Sequence, residues 1–378
     1  MNLSLKKIDF MKKLVLLLLF VSSISFAQSH SHTFNREIKF PHVEGYLTLK
    51  TDLHIHTVFS DGSVWPDIRV QEAIKDGLDV ISLTEHLEYQ PHDQDIPHPN
   101  RNRSYELALE LAQNSRLMIV HGSEITRSMP PGHSNAIFIK DANKMVQEEA
   151  MNAFNEAKRQ GAFVFWNHPT WIGQEKDGIS KMYDIHRQLI AENKLHGIEV
   201  VNEKSYSAEA LQIALDNDLT IMGTSDVHGL IDWDFDLAHG GHRPITLVFA
   251  KERTKTSLAE ALRAGRTVVW YNNLLVGKEA HLGLLLNASI QLESFEYPDD
   301  LQMATIKIKN NSDAKMILEN LSDFSFYQHA DVVELAPHST STIRIKTKTR
   351  LDSFEMRFKV LNAIMAPKTH PEFSLIIK

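Results

Sequence analysis

From Tyr46 to Tyr271 short apolar runs rich in β-formers alternate with stretches whose apolar residues recur at helical spacing, the pattern of consecutive βα units. In the first unit, Asp52-Leu53-His54-Ile55-His56 ends a strand. Pro66 then suits a helix start, Ile68, Val70, Ala73 and Ile74 give that helix an apolar side, and Gly77 can end it. Asp79 to Leu83 returns as a strand. Further strands are expected at Leu117–Val120, Ala136–Ile139, Ala162–Trp166, Gly197–Val201, Leu219–Gly223, Ile245–Phe249 and Thr267–Trp270. Helices are expected at Tyr105–Gln113, Glu148–Gln160, Ile185–Glu192, Ala208–Asp216 and Leu258–Ala264, the last opened by a capping box of Ser257 and Glu260. Such repetition closes most naturally into a mostly parallel (β/α) barrel.

The rhythm changes after Leu284. Thr305 to Lys309, Thr342 to Lys346 and Phe354 to Phe358 alternate apolar and polar residues, as half-buried antiparallel strands do. Residues 284–378 are therefore read as a small β-sandwich, without a reactive constellation and with a supporting or docking role. At the other end, Lys6, Lys7, Lys12 and Lys13 precede the apolar run Leu14 to Val21, then Ser22, Ser23, Ser25 and Ala27. Basic, apolar and small-residue regions in that order read as a secretory signal over 1–27, cleaved near Ala27, which predicts a periplasmic or secreted protein. The apolar core is too short for a stable membrane anchor. The barrel domain is then 28–283.

Composition narrows the chemistry. The 378 residues carry a net charge of −8 with no long run of Lys or Arg, which argues against extended nucleic acid as a partner. There is no cysteine, so any metal would be held by imidazole and carboxylate. Oligomeric state is not legible.

The 20 histidines matter by position. His54 and His56 follow one strand and, two apart, face the same way. Asp61 lies in the next turn, His86 ends Leu83-Thr84-Glu85-His86, and Glu124 ends the run from Val120. His133 precedes Ser134 to Phe138, at a strand start or in a loop folding over the mouth. His168 closes Phe165-Trp166-Asn167-His168-Pro169, and Asp226 with His228 closes the run from Thr224. A lone His-x-His is usually incidental. Nine candidate ligands at successive strand ends are different, because burying so many ionisable groups together without a cation is costly.

In this order, His54-x-His56, Ser60-Asp61-Gly62, Thr84-Glu85-His86, Glu124, His133, Asn167-His168-Pro169 and Asp226-x-His228 resemble the PHP (polymerase and histidinol phosphatase) superfamily over about residues 45 to 275, most of all its secreted phosphodiesterases. Arg243-Pro244-Ile245 to Gly265-Arg266-Thr267 resembles its closing strand and helix. The resemblance implies a distorted (β/α)7 TIM-like barrel and three divalent metals. The first would lie among His54, His56, Glu124 and Asp226, the second among Glu124, His133 and His168, and the third among Asp61, His86 and His228. It also implies hydrolysis of a small phosphate ester, by a metal-bridging hydroxide in a trinuclear site, with Glu124, Asp226 and His228 in catalytic roles. Imidazole and carboxylate suit Mn, Zn, Fe or Co without choosing among them, nor between two ions and three.

Around this centre the reading is more open. Arg103, Arg127 and Arg243 are the candidate phosphate-binding residues, with Lys204 weaker, although Arg103 could equally cap the following helix. His92, His98, His239 and His242 are candidates for the general acid. Glu85 is a candidate to orient a ligand and His121 a packed residue. The loop Gln90 to Arg103 is long enough to be a lid. Trp166, Trp171 and Trp233 are placed near the mouth. A mouth closed by basic side chains would favour a phosphomonoesterase or exonuclease-like nucleotide hydrolase, and an open aromatic groove a phosphodiesterase. A metal-binding docking protein without turnover is the non-enzyme alternative.

Overall fold

The computed structural model describes residues 36–298, 302–328 and 330–378, which form one compact unit. The leader assigned to 1–27 lies outside the described residues. No helix among them is long and apolar enough to cross a membrane.

The strands of the first domain are β1 (Leu47–Ile55), β2 (Val80–Leu83), β3 (Met118–Ile125), β4 (Ser134–Ile137), β5 (Phe163–Trp166), β6 (Gly197–Asn202), β7 (Ser205–Tyr206), β8 (Thr220–Thr224), β9 (Ile245–Ala250), β10 (Thr267–Tyr271) and β11 (Leu274–Gly277). Outside them lie α1 (Pro66–Lys75), α2 (Arg103–Ala112), α3 (Ala150–Gln160), α4 (Asp184–Ala191), α5 (Ala208–Asp216), α6 (Lys255–Arg263) and α7 (Glu279–Ser289). α1 begins as its sequence asks, with Pro66 in the first turn, and is followed by Gly77 at φ +66°, a conformation glycine adopts without strain.

The sheet curls into a distorted barrel of (β/α)7 type. β1, β2 and β3 are parallel, as are β5, β6 and β8, whereas β4 runs antiparallel between β3 and β5, and β9 and β10 continue antiparallel from β1. Leu49, Leu53, Val80, Val120, Phe163, Phe165, Met222 and Val248 form one buried apolar cluster across these strands. Closure between β8 and its far neighbours uses side chains rather than a full ladder. The Thr246 hydroxyl donates to the Gly223 carbonyl (2.8 Å) and accepts from the Gly223 N–H (2.9 Å). A Cβ on Gly223 would lie 2.2 Å from Val269, so only glycine allows that approach.

The capping-box expectation for α6 is corrected. Its N-cap is Thr254, whose hydroxyl accepts from the Ser257 N–H, and Glu260 pairs with Arg266 instead. The helix therefore starts one turn early.

Residues from Ile290 onward form two antiparallel four-stranded sheets. Burial alternates along Phe354–Val360 and Glu372–Ile377, as the sequence alternation requires. α7 spans the residue, 284, at which the sequence pattern changes, and its Leu282, Leu285 and Leu286 share an apolar cluster with Ile306, Met356 and Phe358. The strand Ala363–Ile364 leaves the sandwich and pairs in parallel with β11.

Candidate metal centre

The rim at the C-terminal ends of β1, β2, β3, β5 and β8 collects the imidazoles and carboxylates. His54 and His56 leave β1, His86 follows β2, Glu124 ends β3, His168 follows β5, and Asp226 and His228 follow β8. His133 belongs to the same rim because β4 runs antiparallel, which brings its start to the end where its neighbours finish. Pairing is irregular between Asp52 and Ile55 on β1 and between Glu199 and Val201 on β6, beside the groups to be aimed, which is where such irregularities commonly occur. His168 and Asp226 hold φ of 28° and 49°, left-handed values that non-glycine residues keep only where the surroundings enforce them.

All nine residues fall into four groups whose ligand atoms lie within 4.8 Å of one another: His54, His56 and Asp226; His54, Glu124 and His168; His86, Glu124 and His133; and His56, Asp61, His86 and His228. His54 Nε2 is 3.0 Å from both His56 Nε2 and Asp226 Oδ1. Glu124 turns Oε1 towards His133 (3.0 Å) and His168 (3.5 Å) and Oε2 towards His86 (2.7 Å). Asp61 lies 3.3 Å from His86 and 3.2 Å from His228. His56 joins the Asp61 group as well as that of His54, which departs from the ligand sets implied by resemblance.

Divalent cations fit this donor set. Glu124 Oε2, Asp226 Oδ1 and His168 Nδ1 are buried without a properly directed hydrogen bond. Glu199 Oε1 accepts from His54 Nδ1 (2.8 Å), which leaves the Nε2 lone pair facing the other ligands. With protein charges alone, the cluster sorts into ion pairs. Burial opposes charge on His86 and His228, yet Glu124 with Asp61 raises the first to about 10, and Asp61 with Asp226 raises the second to about 9. Burial, together with the charges of His228 and His86, drives His56 down to about 3. Burial would raise Asp226, but His54 and His56 hold it below the carboxylate range.

Several supporting residues were missed from sequence. Glu199 also accepts from the His168 N–H (2.7 Å), Asn202 Nδ2 (2.9 Å) and Thr224 Oγ1 (2.5 Å). An acid inside the otherwise apolar run from Gly197 to Val201 was the available signal. Asn167 donates to Glu124 Oε1 (2.8 Å), and Asn202 to Asp226 Oδ2 (3.2 Å). Fully buried Arg69 donates to the carbonyls of His56, Val227 and Gly229, which ties two ligand-bearing loops together. Glu85 does not contact a ligand ring. It accepts from Thr57 and Ser60 and so holds the turn between His56 and Asp61.

Three arginines assigned to substrate are corrected. Arg243 is 1% exposed and ion-paired with Asp52 (3.1 Å) and Asp76 (2.7 Å); Asp52 in turn fixes Ser225, beside Asp226. Arg127 spends its guanidinium on Glu88 and on the carbonyls of Gln147 and Glu148. Arg103 opens α2 and faces Glu106 across 3.5 Å. None lines the cleft over the metal ligands. That cleft, about 560 Å³, is walled by Thr170, Trp171, Ile172, Glu203, Tyr206 and Glu209, and no lysine or arginine among the described residues lines it.

The other candidates are also placed. His242 stacks on Trp270 at 3.5 Å, and His121 on Tyr105 at 4.1 Å, as a packed residue does. His98 packs on Phe59, while His239 pairs with Asp236 on the surface, and neither they nor His92 lines the cleft. The loop Gln90 to Arg103 does not line it either, being tied through Asn100 to Asn143 and through Asn102 to Asp141. Lys204 lies over the Phe235 ring in a separate cavity. Trp166 is core, stacked on His186, and Trp233 is exposed, so Trp171 alone of the three lines the cleft.

Comparison with known proteins completes the picture. A family model described as an Ig-like domain matches residues 290–376. No curated protein matches this chain. Among solved structures, a two-domain protein from Bacteroides vulgatus, described as containing a predicted PHP-like metal-dependent phosphoesterase, is 42% identical, covers 90% of this chain and 98% of its own, and superposes with a TM-score of 0.85. PsfC from Pseudomonas syringae is 16% identical over 60% of this chain and 92% of its own (TM-score 0.41). An amidohydrolase from Chromobacterium violaceum with bound sulfate is 14% identical over 47% and 87% (TM-score 0.36). Being 42% identical to that two-domain relative over 90% of its length, this chain belongs to the two-domain PHP-like metal-dependent phosphoesterases.

Proposed function

We propose that the protein is a phosphodiesterase with a trinuclear centre, acting on a small phosphate ester in the periplasm or outside the cell. The observation that carries the diester reading is the wall of the cleft. Trp171 and Tyr206 line it, Arg243 and Arg127 are ion-paired elsewhere, and Arg103 does not line it. Bound divalent ions supply an acidified water and positive charge against the phosphate, and Mn, Zn, Fe and Co all suit the donors.

The chain's own residues supply position. Glu124 belongs to two of the ligand groups, that of His54 and His168 and that of His86 and His133, and would help to hold an ion in each. Asp226 holds its site through the His54 carbonyl, which accepts its N–H (2.9 Å). Aromatic and aliphatic side chains at the mouth receive the ester arms. In the net reaction, a water oxygen joins phosphorus, one P–O ester bond breaks, and the alcohol leaves with a proton. Export rests on the sequence of 1–27.

The test is to load the protein with Mn or Zn and compare bis(p-nitrophenyl) phosphate with p-nitrophenyl phosphate. Metal-dependent turnover with the higher kcat/KM on the diester is expected. Preference for the monoester would move the assignment to a phosphomonoesterase. Tight metal uptake with neither ester cleaved would favour a binding or docking protein.

A further inference from the structure

The charge of the cleft outside the metal ligands is one-sided. Glu203 and Glu209 line it, and no lysine or arginine among the described residues offsets them. Glu203 directly follows β6 at φ 48°, a left-handed value for a non-glycine residue, and its exposed carboxylate lies within the electrostatic reach of Asp226 and His168. Glu209 stands in the first turn of α5, where the Ser207 hydroxyl donates to its carboxylate (3.3 Å). Two aromatic rings line the same cleft. Trp171 is half exposed and meets His168 edge-on at 5.4 Å and His133 at 5.7 Å. Tyr206 lines the cleft with its hydroxyl buried and unpartnered.

Aromatic rings beside carboxylates, with no lysine or arginine among the lining residues, are the chemistry that recognises an ammonium group. A second phosphate or a carboxylate there would meet two like charges, which costs binding. We infer that the cleft selects a phosphodiester one of whose alcohols bears an ammonium group, seated against Trp171, Tyr206, Glu203 and Glu209 while the phosphate lies at the metal ligands. This rests on the phosphoesterase reading and adds the substrate class to it.

Choline and 3,3-dimethylbutanol have nearly the same shape and differ by one positive charge, so their p-nitrophenyl phosphodiesters, which share a leaving group, isolate the charge. With the metal-loaded full chain, kcat/KM is expected to be about tenfold or more higher for the choline ester. In Glu203→Gln, Glu209→Gln and Trp171→Ala that ratio should fall towards one. Calorimetry with choline phosphate and 3,3-dimethylbutyl phosphate gives the same comparison without turnover, and tighter binding of the former is expected. Equal kcat/KM for the two esters, equal binding of the two phosphates, or a ratio unchanged in all three variants would overturn the inference. Preferential binding of choline phosphate with neither diester cleaved would uphold it and remove the diesterase reading instead.

Discussion

The Nδ1 of His54 lies 2.8 Å from Oε1 of Glu199, and both side chains are shut off from solvent. A carboxylate so placed fixes the ring's tautomer and leaves the opposite nitrogen free for a cation. Glu199→Gln keeps the shape and removes the charge. Metal affinity should fall about 10–100-fold, with rescue of activity at high metal concentration. Titration with Mn or Zn checks this, and an unchanged dissociation constant would reduce Glu199 to packing.

Asp226 is approached by both His54 and His56, at 3.0 and 3.1 Å. Asp226→Ala should lower kcat/KM by about a thousandfold or more while the chain stays folded, because the loss falls on the charge that metals stabilise. Chelation should abolish turnover in the parent protein, and readdition of metal should restore it. Parent-like rates in Asp226→Ala would mean that the reaction occurs elsewhere.

Arg243 separates a structural role from a substrate role. Removing it strands Asp52, 0% exposed, without its counter-charge and leaves Asp76, 2% exposed, with Arg36 alone. Arg243→Ala should therefore cost about 3–5 kcal/mol of stability. Denaturant unfolding measures this. A raised KM with unchanged stability would restore the guanidinium to the substrate.

Three histidines outside the centre make the fold acid-sensitive. Burial is the main cause that lowers His121, His196 and His242 to about 4. An unfolded imidazole binds its proton near pH 6.5, so between roughly pH 6.5 and 4 the unfolded chain takes up more protons than the folded one. Their contribution is complete above that window and declines as pH falls through it. For His121, 7% exposed, the loss is on the order of 2–3 kcal/mol. Melting of the metal-free protein from pH 7.5 to 4.5 should show this decline, and His121→Phe, which keeps a ring against Tyr105, should flatten it. Parallel curves for the two proteins would remove His121 as a cause.

Ending the chain at Ser289 should leave every candidate ligand in place and still lower the melting temperature. Asn362 donates to the carbonyls of Asn273 and Lys315, and α7 would lose the apolar partners it shares with the sandwich. Exposing several leucine side chains costs several kcal/mol, at roughly 1.5–3 kcal/mol each. Unchanged melting and turnover would show the barrel to be self-sufficient.

What the sequence reveals and what it hides have physical causes. Strand-end acids and imidazoles are legible because a periodic apolar run predicts where a strand stops, and ionisable groups clustered at such stops need a cation. His133 stayed ambiguous because strand direction is not written in the pattern, and only antiparallel β4 brings its start to the rim. The arginines were misjudged for a related reason, since a guanidinium reaches far and its partners lie distant in sequence: Asp52 and Asp76 for Arg243, Glu88 for Arg127. Glu199 escaped because a single acid in an apolar strand announces burial without saying what it holds.

The barrel sheet runs from the two-residue strand Ala363–Ile364 at one margin to the two-residue strand Ser205–Tyr206 at the other. Long, bare margins invite another copy to add a strand of its own, the first step towards fibrous aggregates. By lending two residues to Leu275 and Val276, the C-terminal domain covers that margin with the molecule's own backbone. Besides supporting the barrel, it thus leaves one fewer bare strand for another copy to join.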